Sequence, residues 1–127
     1  MDDANVPSLL SMPYLGYCKK EDTLYQHTRS FILSHHNPYY YQGTCASGIG
    51  SPHTPKNYIW HIALSMQGLT GTKEEAKKMI NLILETSNNE GLCHEGFNKD
   101  EPSEYTRSWF AWANSLFAEL VYQYFVK

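Results

Sequence analysis

The segment from about Glu104 to Phe125 is apolar nearly all round, with no polar face wide enough for a surface helix. A helix of that kind must be covered on both sides by protein or by a ligand, so it predicts an inner element of a larger helical assembly. An earlier segment reads the opposite way. Thr72-Lys73-Glu74-Glu75 has the pattern of a capping box, and Ala76, Met79, Ile80, Ile83 and Leu84 form a stripe at i, i+3, i+4, i+7 and i+8. That spacing predicts an outward-lying amphipathic helix with a charged face.

Other helices are expected upstream. Asp22 is placed to start a helix running to Ser34, with Leu24, Phe31 and Ile32 at near-helical spacing. A further helix is expected over 55–69, with Thr54 as its cap, Pro55 at its first position and Gly71 just beyond its last apolar residue. A weaker one is expected from near Pro7 to around Gly16. Residues Tyr39 to Ala46 could pair as a hairpin, but their glycine and polar content favours a loop. The expected fold class is therefore all-α, with about five helices forming helical hairpins joined by long polar loops.

Composition narrows the function classes. The chain has 127 residues, 42% hydrophobic, which is one domain's worth of material, and a formal net charge of −3. Its basic residues are few and scattered, which argues against nucleic acid as a partner. The apolar runs are too short and too often interrupted to span a bilayer, and the first residues carry carboxylates and prolines instead of a signal sequence. No compartment is indicated. Three cysteines, Cys18, Cys45 and Cys93, have a spacing that matches neither a disulfide framework nor a zinc site, and they read as free thiols. The six histidines, including the adjacent His35 and His36, do not fall at ligand-set spacings. No metal and no cofactor is expected.

Three polar clusters stand out. Glu95 lies in Gly91-Leu92-Cys93-His94-Glu95-Gly96-Phe97, ahead of an aromatic stretch that holds Trp109 and Trp112. A carboxylate between an imidazole and a glycine sits where backbone can approach a ligand, and the indole rings offer flat faces on which a sugar ring can stack. The same residues could equally be a solvated loop acid and core aromatics. Gly48-Ile49-Gly50-Ser51-Pro52-His53-Thr54-Pro55 fixes a loop that projects Ser51, His53 and Thr54. The opening Met1-Asp2-Asp3-Ala4-Asn5-Val6-Pro7-Ser8 gathers two carboxylates and an amide. Each cluster, taken singly, could also be capping and turn chemistry.

Together the strings resemble glycoside hydrolase family 125, the exo-acting α-1,6-mannosidases. The resemblance runs through Met1 to Tyr17, Gly48 to Pro55, Tyr58 to Gln67, His94 to Phe97 and Tyr105 to Phe117, and the words MDDANVPSLL and TRSWFAWANSLF are specific. It corresponds to the carboxy-terminal part of a longer catalytic domain, so residues 1–127 are expected to be an incomplete portion of one. The family implies a partial (α/α)6 toroid and an inverting hydrolase that removes terminal mannose from α-1,6 linkages of N-glycan-type oligosaccharides.

An inverting glycosidase needs a general acid at the leaving oxygen and a general base on the opposite face, with carboxyls roughly 6.5 to 9.5 Å apart. The resemblance makes Glu95 the base and places the family's acid, an aspartate, upstream of the segment that matches Met1. Asp2 or Asp3, with Asn5, is implied as a hydroxyl-binding group, or else the pair caps the following helix. Ser51, His53, His94 and Trp109 are implied as sugar contacts, and Arg107 either binds hydroxyls or orients Glu95.

Five helices cannot close a ring of six helix pairs. Leaving even about 1,000 Å² of apolar surface wet forfeits about 25 kcal/mol, more than an ordinary domain's stability. The chain is expected to need the missing amino-terminal half of the domain, supplied by its own polypeptide or a partner, and to be inactive alone. The alternative is a non-catalytic remnant that binds mannosides or serves as a helical module.

Overall fold

The computed structural model describes residues 1–87 and 92–126; Gly91, which opens the Glu95 cluster, lies outside them. The architecture is mixed α/β, not the all-α arrangement expected, so the partial toroid of about five helices is not what these residues form. Among the described residues there are four helices, α1 (Thr23–Ile32), α2 (His61–Thr70), α3 (Lys73–Thr86) and α4 (Ala111–Val126). With them are two small antiparallel sheets. Strands β1 (Tyr40–Gln42) and β2 (Ser47–Ile49) form one, and β3 (Tyr58–Trp60), β4 (Gly96–Asn98) and β5 (Tyr105–Thr106) form the other in the order β3-β4-β5.

Several elements depart from expectation for local reasons. Tyr40 pairs with Ile49 and Tyr41 with Gly48, so a hairpin does form, but Tyr39 to Ala46 supplies only its first strand and turn, and the second strand, Ser47–Ile49, lies beyond that segment. Gly48 permits it, because a Cβ there would lie 2.7 Å from Leu64 Cδ2 and 2.8 Å from Ile59 Cγ2. The helix expected over 55–69 begins only at His61, with Trp60 rather than Thr54 at its cap, since residues 58–60 are taken by β3. The segment from Pro7 to Gly16 is a run of turns, not a helix. Asp2 organises it: its carboxylate accepts the Leu9 N–H at 3.0 Å and the Leu10 N–H at 3.3 Å.

The last helix also differs. Residues 104–110 are not helical, with only Tyr105–Thr106 in a strand, and α4 buries only Ala113, Leu116 and Leu120 while exposing Trp112, Tyr122, Phe125 and Val126. The wholly covered helix is α2 instead, in which every residue except Gln67 is buried. It packs between α3 and α4, and Gly68 brings it close enough to α4 that a Cβ there would meet Leu120 Cδ1 at 2.8 Å. No helix among the described residues is long and apolar enough to cross a membrane.

The amphipathic helix α3 follows its pattern in part. Thr72 caps it by accepting the Glu75 N–H at 3.2 Å, and Ala76, Met79, Ile80 and Ile83 are buried, although Leu84 is exposed. Glu75 does not close the box. Its carboxylate instead meets Arg29 at 3.0 Å and accepts from Gln67 at 3.0 Å, tying α1 to α2 and α3. Helix α1 starts where expected, with Asp22 accepting the Tyr25 N–H, but it buries Tyr25 and Ile32 and leaves Leu24 and Phe31 exposed.

Candidate active site

Register builds the centre of the site. Gly96 pairs with Thr106 across β4 and β5, so Glu95 and Arg107 emerge side by side from the same end of the sheet. The Glu95 N–H donates to the Thr106 carbonyl at 3.2 Å and the Gly96 N–H donates to Thr106 Oγ1 at 3.1 Å, which fixes the backbone on both sides of the carboxylate. Arg107 adopts φ +52°, a conformation that non-glycine residues rarely take. From there its Nε lies 3.5 Å from Glu95 Oε1, with the Glu95 side chain 18% exposed and that of Arg107 63% exposed. The guanidinium also sits over the Phe110 ring, 5.5 Å from its centroid.

Beneath this pair lies a stack of rings. His94 is fully buried and lies against Tyr105, with centroids 3.9 Å apart and planes 9° from parallel, and its other neighbour is His61 at 5.4 Å. His94 Nδ1 is 3.2 Å from the Arg107 carbonyl, which can only accept, so that nitrogen carries a proton and donates. His94 thus holds the Arg107 backbone in place. Burial first, then the neighbouring His94, pushes the His61 imidazole down to about 3, so it is neutral at physiological pH.

A second loop is joined to the first through Trp60. Its indole N–H donates to Thr54 Oγ1 at 2.9 Å, and it lies over Gly96, where a Cβ would come within 3.2 Å of Trp60 Cδ1. Within that loop Ser51 is buried and its Oγ accepts the His53 N–H at 3.2 Å, while the His53 side chain is exposed. The amino-terminal segment docks on the same loop through the Ala4 N–H, which donates to the Gly50 carbonyl at 3.0 Å.

The expected site residues therefore divide. Glu95 and Arg107 are in contact, and Ser51, His53 and Thr54 are linked to them by way of Trp60. Trp109 is exposed. Asp2, by contrast, is buried with both carboxylate oxygens occupied by backbone N–H groups, and burial raises its carboxyl above the ordinary range. Asp3 accepts from the Asn5 N–H at 3.0 Å and from the Asn5 side chain at 3.4 Å. The turn-building role weighed for this acidic pair is thus filled by Asp2. Two cavities, of about 380 and 470 Å³, lie away from this centre, and neither is lined by Glu95 or Arg107.

Sequence reasoning missed His61, Trp60 and Thr106. No local pattern marks His61, which sits in an apolar run like any core residue. Trp60 and Thr106 acquire their roles from strand pairing, which short strands of two or three residues do not announce.

The chain is similar to known proteins in sequence and in fold. A solved α-mannosidase from Streptococcus pneumoniae, of a group described as metal-independent and connected with the processing of N-linked glycans, is 54% identical and superposes with a TM-score of 0.96. It was captured in a non-productive substrate complex with α-1,6-mannobiose, and the match covers 98% of this chain and 29% of that one. The meiotically up-regulated gene 157 protein of Schizosaccharomyces pombe is 46% identical over 123 residues, which is 95% of this chain and 24% of that protein. The chain thus spans 24% to 29% of the length of these relatives. Residues 1–122 match the family model for the metal-independent α-mannosidases of GH125, and with register, ring stack and loops all falling inside that match, the chain belongs to this glycoside hydrolase family.

Proposed function

We propose that this chain carries the general-base portion of an inverting exo-α-1,6-mannosidase, acting on terminal mannose of N-glycan-type oligosaccharides, with Glu95 as the base. The observation that carries the reading is the Glu95–Arg107 pair, a partly exposed carboxylate fixed by backbone hydrogen bonds on both sides. In the reaction Glu95 takes a proton from water as the water oxygen bonds to the anomeric carbon. The bond from that carbon to the leaving oxygen breaks, and a general acid protonates the leaving oxygen. The acid belongs to polypeptide outside these 127 residues, so the chain by itself is inactive.

Arg107 orients the carboxylate and reaches substrate hydroxyls. Trp109 supplies a stacking face, and Asp3, Asn5 and His53 supply hydrogen bonds to the sugar, while buried Ser51 holds the loop by accepting the His53 N–H. His94 and Asp2 serve by holding backbone, as their burial and their bonds favour.

The test uses the full polypeptide that carries this chain, with α-1,6-mannobiose as substrate. Glu95→Gln is expected to lower kcat by about 10²–10⁴-fold, and proton NMR of the first turnovers is expected to show β-mannose. Near-normal activity of the variant removes Glu95 from the chemistry. Initial release of α-mannose excludes inversion, and saturable binding without turnover in the unaltered protein favours a mannoside-binding role.

A further inference from the structure

We infer that His61 is a positioning residue for the Glu95 carboxylate, acting through a hydrogen-bond relay that ties the N–H of His94, the residue before Glu95, to helix α3. The inference rests on the reading of Glu95 as the general base. Strand β3 ends at Trp60, opposite Gly96, and the chain then turns into α2. No further strand carbonyl follows on that edge, yet the His94 N–H points there and needs an acceptor. The ring of His61, the first residue of α2, provides it: the His94 N–H donates to His61 Nδ1 at 2.8 Å.

That bond dictates the tautomer. Nδ1 can accept only without a proton, so the neutral ring carries its hydrogen on Nε2. Nε2 lies 2.8 Å from Thr86 Oγ1 and donates to it, and the Thr86 hydroxyl passes its own hydrogen to the Leu82 carbonyl at 2.8 Å. Three bonds in series therefore run from the His94 N–H to the last turn of α3. His94, His61 and Thr86 are all buried, and the Phe97 ring packs on His61 with centroids 4.8 Å apart. A histidine kept only to fill space would not need both nitrogens. Here one is spent on the residue adjoining the proposed base and the other on the group that fixes which nitrogen is free to accept.

The relay predicts different outcomes for two replacements of similar polarity. Asparagine places its Oδ1 near the position of Nδ1, whereas glutamine reaches toward the position of Nε2. In the full polypeptide acting on α-1,6-mannobiose, His61→Gln and Thr86→Val are expected to lower kcat by about 10- to 100-fold with little change in KM. His61→Asn is expected to recover most of that loss. Equal losses for Asn and Gln that track a falling Tm would overturn the inference, because filling volume would then suffice.

Two measurements separate this idea from the assignment of Glu95. Nitrogen-15 NMR of histidine-labelled unaltered protein at pH 7 is expected to show His61 as the Nε2–H tautomer, and an Nδ1–H or protonated ring overturns the relay whatever Glu95 does. In a Glu95→Gln background, His61→Gln is expected to add less than about twofold, and full additivity means that His61 does not act through Glu95. If Glu95→Gln alone leaves activity intact while the tautomer stands, it is the base assignment that fails.

Discussion

The carbonyl of Arg107 accepts from the Nδ1 of buried His94, while the guanidinium of the same residue reaches Glu95 Oε1 at 3.5 Å. One residue thus has its backbone clamped below and its side chain presented above. Holding Arg107 at φ +52° costs about 1 kcal/mol for a residue with a Cβ, so the conformation persists because the His94 bond and the β5 pairing impose it.

Arg107→Gly would relieve that strain while adding the chain entropy of glycine, two terms of about 1 kcal/mol each that nearly cancel. The ion pair, whose guanidinium is largely exposed, contributes little to stability. Urea unfolding should therefore change by less than about 1 kcal/mol, while kcat/KM on α-1,6-mannobiose should fall by at least about tenfold, as expected when a guanidinium is removed from a carboxylate it orients.

Gly50 should tolerate no side chain. Its amide donates to the Tyr39 carbonyl, its carbonyl accepts from Ala4, and an added Cβ would overlap the Tyr58 carbonyl oxygen and press on the Tyr41 ring. Because backbone cannot yield as a flexible side chain can, Gly50→Ala is expected to cost about 3 kcal/mol or more. Thermal unfolding reads it. Gly16→Ala has nothing within 4 Å of its Cβ and carries only the strain of φ +88°, so it should cost about 1 kcal/mol.

Stability should fall on acidification because of His61. Its folded value of about 3 lies below the ordinary 6.5, so between those values the unfolded chain binds more protons than the folded one. The stabilisation is full above pH 6.5 and is lost as pH drops toward 3, with a loss on the order of 2 kcal/mol at pH 5. His61→Asn, which does not titrate, should flatten the difference in unfolding free energy between pH 7 and pH 5 by that amount. An unchanged pH slope would contradict it.

The three thiols should separate by accessibility. Cys45 is exposed and Cys18 half-buried, whereas Cys93 is buried and its thiol is pushed up to about 12 by burial. At pH 8 only about one Cys93 in ten thousand is a thiolate. Peptide mapping after brief alkylation should find Cys45 modified first, Cys18 more slowly, and Cys93 only once the protein is unfolded.

The local physics of α3 was legible in its residues, because Thr72 and the stripe from Ala76 to Ile83 follow near-neighbour rules. Its reciprocal cap was not, since Arg29 from α1 competes for Glu75. The covered helix was assigned to the wrong segment for a related reason. Aromatic richness near Trp109 and Phe125 reads as inner packing, but those rings are exposed, while α2 is enclosed by partners distant in the chain. At the candidate site, residue types pointed to Glu95 and Arg107. Their proximity comes only from the pairing of Gly96 with Thr106, and the support under them comes from His61, which carries no sequence signal at all.

The pairing of Gly96 with Thr106 makes the turn between β4 and β5 a measuring device. Side chains alternate faces along a strand, so one residue inserted or deleted between Asn98 and Tyr105 that slid the register would carry the guanidinium of Arg107 to the opposite side of the ribbon from the Glu95 carboxylate. Variation in the length of that turn is therefore a graver lesion than most changes in its spelling, and natural drift there should favour substitutions over indels.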